Sequence, residues 1–166
     1  MDKAAYPLAQ VLEVKKKRVE DAEKLVEQRI KELDREKEKL KEVEAARDKV
    51  LQHFTDKIDQ LRQKFDEGIT SPEIIDSKRY IKIVHEKLQV EEEKVNKQKE
   101  QVEVAEKSLE LARKELAQKR KEVDKLRMHR EEWWKEERND RERKEAIEQD
   151  EIGNVIHLKK MREKLN

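Results

Sequence analysis

From Ile74 to Val123 an aliphatic residue returns at every seventh position: Ile74, Ile81, Leu88, Val95, Val102, Leu109, Leu116 and Val123. A strand alternates in twos, so this pattern excludes a sheet. A strict period of seven falls just short of two turns of straight helix. It therefore requires a helix that supercoils left-handedly against another helix. The companion series on the same stretch is mixed: Val84, Glu91, Gln98, Ala105, Ala112, Lys119, Leu126 and Trp133. The first half of the chain has a seam of its own, Leu12, Val19, Val26, Leu33, Leu40, Arg47, Phe54 and Leu61. Ile30, Leu51, Ile58 and Phe65 fall in its partner series.

Composition fits two long helices joined by a narrow apolar seam. Half of the residues are charged, 34% are hydrophobic, and glycine and proline number two each. That is too little apolar surface for a compact globular core, yet its periodic order excludes a disordered polyampholyte.

Helix punctuation falls at three places. Pro7 suits a first helical turn. In "DEGITSPEII", Gly68 is a C-terminal cap, and either Ser71 before Pro72 or a Thr70–Glu73 capping box starts the next helix. Gly153-Asn154 is expected to end or kink the second helix. The expected fold class is all-α: one long antiparallel two-helix coiled-coil hairpin, with an overhanging second helix, spanning residues 1–166. Helix 1 covers about 7–67, the turn 68–71, helix 2 about 72–151 and a C-terminal tail 152–166. In the tail, Val155, Leu158, Met161 and Leu165 recur at helical spacing.

In an antiparallel pair the numbers of facing residues add to a constant, about 142 for a turn placed at Ser71. That register pairs Leu61 with Ile81, Phe54 with Leu88, Leu33 with Leu109 and Val19 with Val123. It also sets Trp133 against Ala9 and Trp134 against Leu8, at the open end of the hairpin. The tryptophans are adjacent and so point about 100° apart, which prevents one stripe from burying both. Burial as an end-plug accounts for Trp133 better than for Trp134. Residues from 135 onward have no first-helix partner, and "KEERNDRERKEAIEQDEI" is charged nearly all round.

Catalytic chemistry has no foothold in the sequence. Two widely spaced glycines cannot form a phosphate loop or a dinucleotide fingerprint. His53, His85, His129 and His157 lie far apart; His53 and His85 approach one another in the expected register, but no cysteine and no His-x-x-x-His pair accompanies them. We therefore expect no enzyme activity, no metal and no cofactor. The 42 basic residues balance 41 acidic ones. The densest basic run, "EVKKKRVED", spreads around a helix and is bracketed by acids, so nucleic acid is not an expected partner. No apolar run reaches the ~20 residues of a membrane span, and the first residues lack a signal-peptide core. The absence of cysteine suits a reducing compartment. The seam alone leaves a monomer and a weak oligomer both open.

The stretch "YPLAQVLEVKKKRVEDAEKLV", Tyr6 to Val26, resembles the N-terminal signature of the YscO/FliJ family of type III secretion. "EEEKVNKQKE" and "HREEWWKEERNDRERKEAIEQDEIGNVIH" resemble its chlamydial members. The resemblance covers essentially the whole chain. It implies a cytoplasmic protein, peripheral to the base of the secretion apparatus, that resembles the central stalk of rotary ATPases. Such a protein binds the hexameric secretion ATPase, promotes its assembly or activity and links it to an export-gate protein. Secretion chaperones or a needle-length regulator are further partners in this reading. From the register, Tyr6, Leu8, Trp133 and Trp134 are the candidate contacts at the open end, and Phe65, Ile69, Ile74 and Tyr80 those at the turn end. The competing expectations are a plain coiled-coil spacer and a chaperone-escort or holdase hairpin with no effect on an ATPase.

Overall fold

The computed structural model describes residues 5–165, with side chains through residue 163. Among these residues the protein is all-α, with α1 over Ala9–Glu67 and α2 over Ser71–Leu165. The two helices form a helical hairpin. Its contacts gather into two compact units, Ala22–Glu115 and Met1–Asp21 with Leu116–Asn166.

The first unit contains the turn. Gly68 adopts φ +93°, the left-handed conformation that closes a helix and that a side chain disfavours. Of the two possible starts for α2, the structure takes Thr70. The Glu73 carboxylate accepts from the Thr70 hydroxyl at 2.7 Å and from its backbone N–H at 3.1 Å. The Thr70 carbonyl accepts from the Ile74 N–H at 3.1 Å. Pro72 therefore falls in the first turn, where its missing N–H leaves no helical bond unmade. These two bonds hold the Glu73 carboxyl below the usual carboxylate range, the hydroxyl contributing more than the amide.

The seam of this unit differs in register from the expectation. Because α1 ends at Glu67 and α2 begins at Ser71, the pairing centres on Ile69 and facing numbers add to about 138. Leu33 accordingly packs against both Val102 and Leu109, with Ala105, Val26 and Leu40 around them. Phe54 lies beside His85, ring centroids 5.3 Å apart. Val84, Leu88, Val95 and Ala112 are buried on α2, and Ala22 on α1. Val43 and Val50, absent from the expected seam, are half-buried, whereas Ile30, Leu51 and Phe65 of the expected partner series are exposed. Polar groups frame the seam: the Gln98 amide donates to the Glu36 backbone carbonyl at 3.1 Å and to its carboxylate at 2.6 Å. Lys37 pairs with Glu106 at 3.4 Å.

In the second unit, Leu12, Leu116 and Val123 are buried. Lys15 pairs with Glu122 at 2.6 Å and holds the Glu122 carboxyl below its usual range. Here α2 continues beyond the expected stop at Gly153-Asn154 and runs unbroken to Leu165. One glycine weakens a helix without ending it. No proline follows, and Gly153 has no positive φ. Every residue from Arg138 to Glu163 is exposed.

Candidate functional site: the open end of the hairpin

Before α1 begins, the chain turns at Pro7, and the Tyr6 carbonyl accepts from the Ala9 N–H at 3.1 Å. Proline is pre-set for the second position of such a turn. The turn carries Tyr6 onto α2, where its side chain is buried. Its ring meets Trp133 edge-on at 5.6 Å and His129 at 5.8 Å. The Tyr6 hydroxyl and His129 Nδ1 share a 2.7 Å hydrogen bond. His129 and Trp133 are one helical turn apart, so they present a single face to the tyrosine.

Arg130 and Trp134 form the neighbouring ridge of α2. The Arg130 guanidinium lies 5.0 Å over the Trp134 ring, within cation–π range, and its Nε is buried without a hydrogen-bond partner. Trp134 remains 42% exposed, whereas Trp133 is half-buried. Trp134, Tyr6, Ala9 and Leu12 supply the apolar lining of an open groove, with Arg130 and Glu13 among its polar groups. Leu8 is exposed.

The expected facing pairs change accordingly. Trp133 takes Tyr6 as its ring partner, and Ala9 lies on the groove shared with Trp134. Tyr6–Trp133 and Lys15–Glu122 both lie within one of the sum set by the observed turn. His129, which the sequence marks only as one of four scattered histidines, joins the site. Its signal is the i, i+4 spacing to Trp133.

In the turn-bearing unit, Phe65 is exposed and Ile69 and Ile74 are half-buried. Tyr80 is exposed, and its hydroxyl shares a 2.9 Å hydrogen bond with His53 Nε2, while Lys57 Nζ lies 5.7 Å from the centre of its ring. His53 and His85 therefore have separate partners, Tyr80 for the one and Phe54 and Gln89 for the other. Among the described residues, no three histidine, cysteine, aspartate or glutamate side chains gather as a metal site, and no helix is long and apolar enough to cross a membrane.

A helical hairpin with an exposed aromatic ring, a guanidinium over that ring and a long exposed helical stretch has the features of a protein that works by contact with other proteins. The YscO-like family model matches residues 3–163, and the chain belongs to that family, a family of type III secretion. It is similar to CT670 of Chlamydia trachomatis, described as a YscO homologue. That match has 50% identity and a TM-score of 0.91, and covers 93% of this chain and 96% of that one. A chain from the Chlamydia pneumoniae CdsV–CdsO complex is 53% identical with a TM-score of 0.49, covering 50% of this chain and 96% of its own. No curated protein sequence matches the chain.

Proposed function

We propose that this chain is a stalk-like cytoplasmic component of the type III secretion apparatus, peripheral to its base. In this reading it binds the hexameric secretion ATPase, promotes its assembly or activity and couples it to the export gate. The match to the YscO-like family over residues 3–163 carries the proposal. The open end, with Tyr6, Leu8, Trp133, Trp134 and the bare helix beyond Arg138, is the ATPase contact. The turn end, with Phe65, Ile69, Ile74 and Tyr80, is the contact on the export-gate side. The Chlamydia pneumoniae structure holds CdsV and CdsO together, and its matching chain is 53% identical to this one. A CdsV protein is therefore a partner to test for this chain, and secretion chaperones or a needle-length regulator come after it.

The geometry of the open end suits a contact. Trp134 is exposed, and its ring is already pinned by Arg130. A tryptophan side chain has few rotatable bonds and loses little freedom when it docks, which favours it as an interface anchor. The many weak surface ion pairs, mostly between residues three or four apart, suit a shaft that changes neighbours.

The test is hydrolysis rate and hexamer yield of the cognate ATPase with and without the chain. Addition is expected to raise at least one of them, and Trp134→Ala to remove that gain while leaving the melting curve nearly unchanged. An unchanged rate together with an unchanged hexamer yield refutes the stalk reading and leaves the spacer.

A further inference from the structure

Two residues beyond the seam series of α2 runs a second row of period seven: Ile83, Val90, Lys97, Val104 and Leu111. It lies wholly within the turn-bearing unit, and its four aliphatics are 50% to 67% exposed. At 100° per residue the row stands about 130° round the helix from the midline of the seam, and it runs for about 42 Å. The equivalent row of α1, Gln28, Arg35, Glu42, Lys49 and Asp56, is polar throughout, as suits the outer face of a two-stranded coil. Single exposed aliphatics need no account, but four at one heptad position form a stripe that fits a further helix. The stripe has unlike borders. Glu86, Glu93 and Glu100 follow it on one side, and Lys87, Lys94 and Gln101 on the other; all six are exposed.

We propose that this stripe pairs with the same stripe of a second copy of the chain, the two α2 helices parallel and in register. A two-fold axis along the helices sets each residue of the row level with its own counterpart. It also brings the acidic border of each copy to the basic border of the other. Glu86 then meets Lys87 of the second copy and Glu93 its Lys94, each twice. An antiparallel pair centred on Lys97 also matches the aliphatics, Ile83 with Leu111 and Val90 with Val104. That pair brings like borders together and sets Glu93 against Glu100 of the second copy. Because α1 lies about 130° away round α2, it leaves the approach open. Lys97 is the one polar residue in the row. A single lysine at such a position costs stability and fixes the register, so the pairing is weak but its alignment is definite. The pairing does not rest on the stalk reading and needs no other protein.

Sedimentation equilibrium of the full chain, from micromolar to millimolar, tests the proposal. The mass is expected to rise from 20.1 kDa towards twice that value. Val90→Glu with Val104→Glu should weaken association about tenfold or more, with helix content by circular dichroism unchanged. Lys97→Leu should strengthen it by a similar factor. Glu86→Lys with Glu93→Lys, and Lys87→Glu with Lys94→Glu, should each weaken it. An equimolar mixture of these two variants should recover the dimer, because unlike borders meet again. The chain has no cysteine, so single introduced cysteines report the direction of pairing. Val90→Cys should link to its own counterpart on mild oxidation, whereas Glu92→Cys, on the far side of α2, should not. A single-chain mass at every concentration overturns the proposal, and so does a mixture that fails to recover. Linkage of Val90→Cys to Val104→Cys alone overturns it in favour of the antiparallel pair.

Discussion

Leu33→Ala is the sharpest test of the seam. Leu33 is only 8% exposed and sits between Val102 and Leu109. The substitution removes three carbon groups, worth about 0.8 kcal/mol each when buried. Scaled by burial, the loss is about 2.2 kcal/mol. Alanine returns a few tenths of that as the better helix former. A two-helix seam is open at its sides, so water or neighbouring side chains fill the gap, and the cavity contribution stays at the low end of the usual range. The net cost is about 2 kcal/mol. Leu111, on the opposite face and 67% exposed, provides the control. The same arithmetic gives about 0.8 kcal/mol before the helix correction and about 0.5 kcal/mol after it. Urea unfolding followed by circular dichroism at 222 nm reads both, and a typical slope makes the Leu33→Ala shift in midpoint about 1 M. Equal costs at the two positions would falsify the packing described for this unit, because only the buried site has layers to lose.

Three further outcomes follow from the two ends. Tyr6→Phe removes the bond to His129 Nδ1 at a part-buried site and should cost about 1 kcal/mol, read as a lower urea midpoint; no shift would mean that water replaces the hydroxyl. Trp133→Ala should lower the melting temperature, because the ring packs on Tyr6, whereas Trp134→Ala should barely move it; differential scanning calorimetry separates the two, and equal shifts would contradict the two-ridge arrangement. The Glu73, Glu122 and Glu36 carboxyls are each held below the usual range, by Thr70, by Lys15 and by Lys39 with Gln98 respectively. Their stabilisation is present above the ordinary carboxylate range and is lost as the pH falls through the lowered folded values, so the melting temperature should drop on acidification. Glu73→Gln with Glu122→Gln should flatten that drop, and an unaltered pH profile would show that these bonds do not couple to folding.

The seam itself was legible because period seven admits only one kind of partner. Its register was not, and the reason lies in the heptad. Seven divides into four and three, so a slip of about four residues exchanges the two apolar series of one helix and leaves the seam closed. Leu33 faces an apolar layer whether it meets Leu109 alone or nests between Val102 and Leu109. Only the midpoint of the turn distinguishes these arrangements, and it lies between the Gly68 cap and the Thr70 cap, at Ile69, not at the start of α2. Leu51 and Val50 show the consequence, since the larger side chain is outside and the smaller one is half-buried. The break expected at Gly153 failed for a different reason. Without a proline or a positive φ, a lone glycine only lowers helix propensity, and helix formers on both sides carry α2 through it.

The adjacent tryptophans connect that register to the proposed contact. Each belongs to a different i, i+4 pair, His129 with Trp133 and Arg130 with Trp134, and the two pairs form neighbouring ridges of α2. The first ridge is covered by Tyr6, brought over by the turn at Pro7. The second ridge lies over the groove, with a guanidinium stacked on an exposed ring. Burying the first ring ties the start of the chain to α2 and so fixes one wall of the groove that the second ring lines. A partner that docks on Trp134 thus meets a surface whose shape depends on Trp133 and Tyr6, although Trp133 is half-buried and Tyr6 nearly enclosed. Loss of Tyr6 packing should therefore weaken capture by displacing the groove wall, even with Trp134 intact.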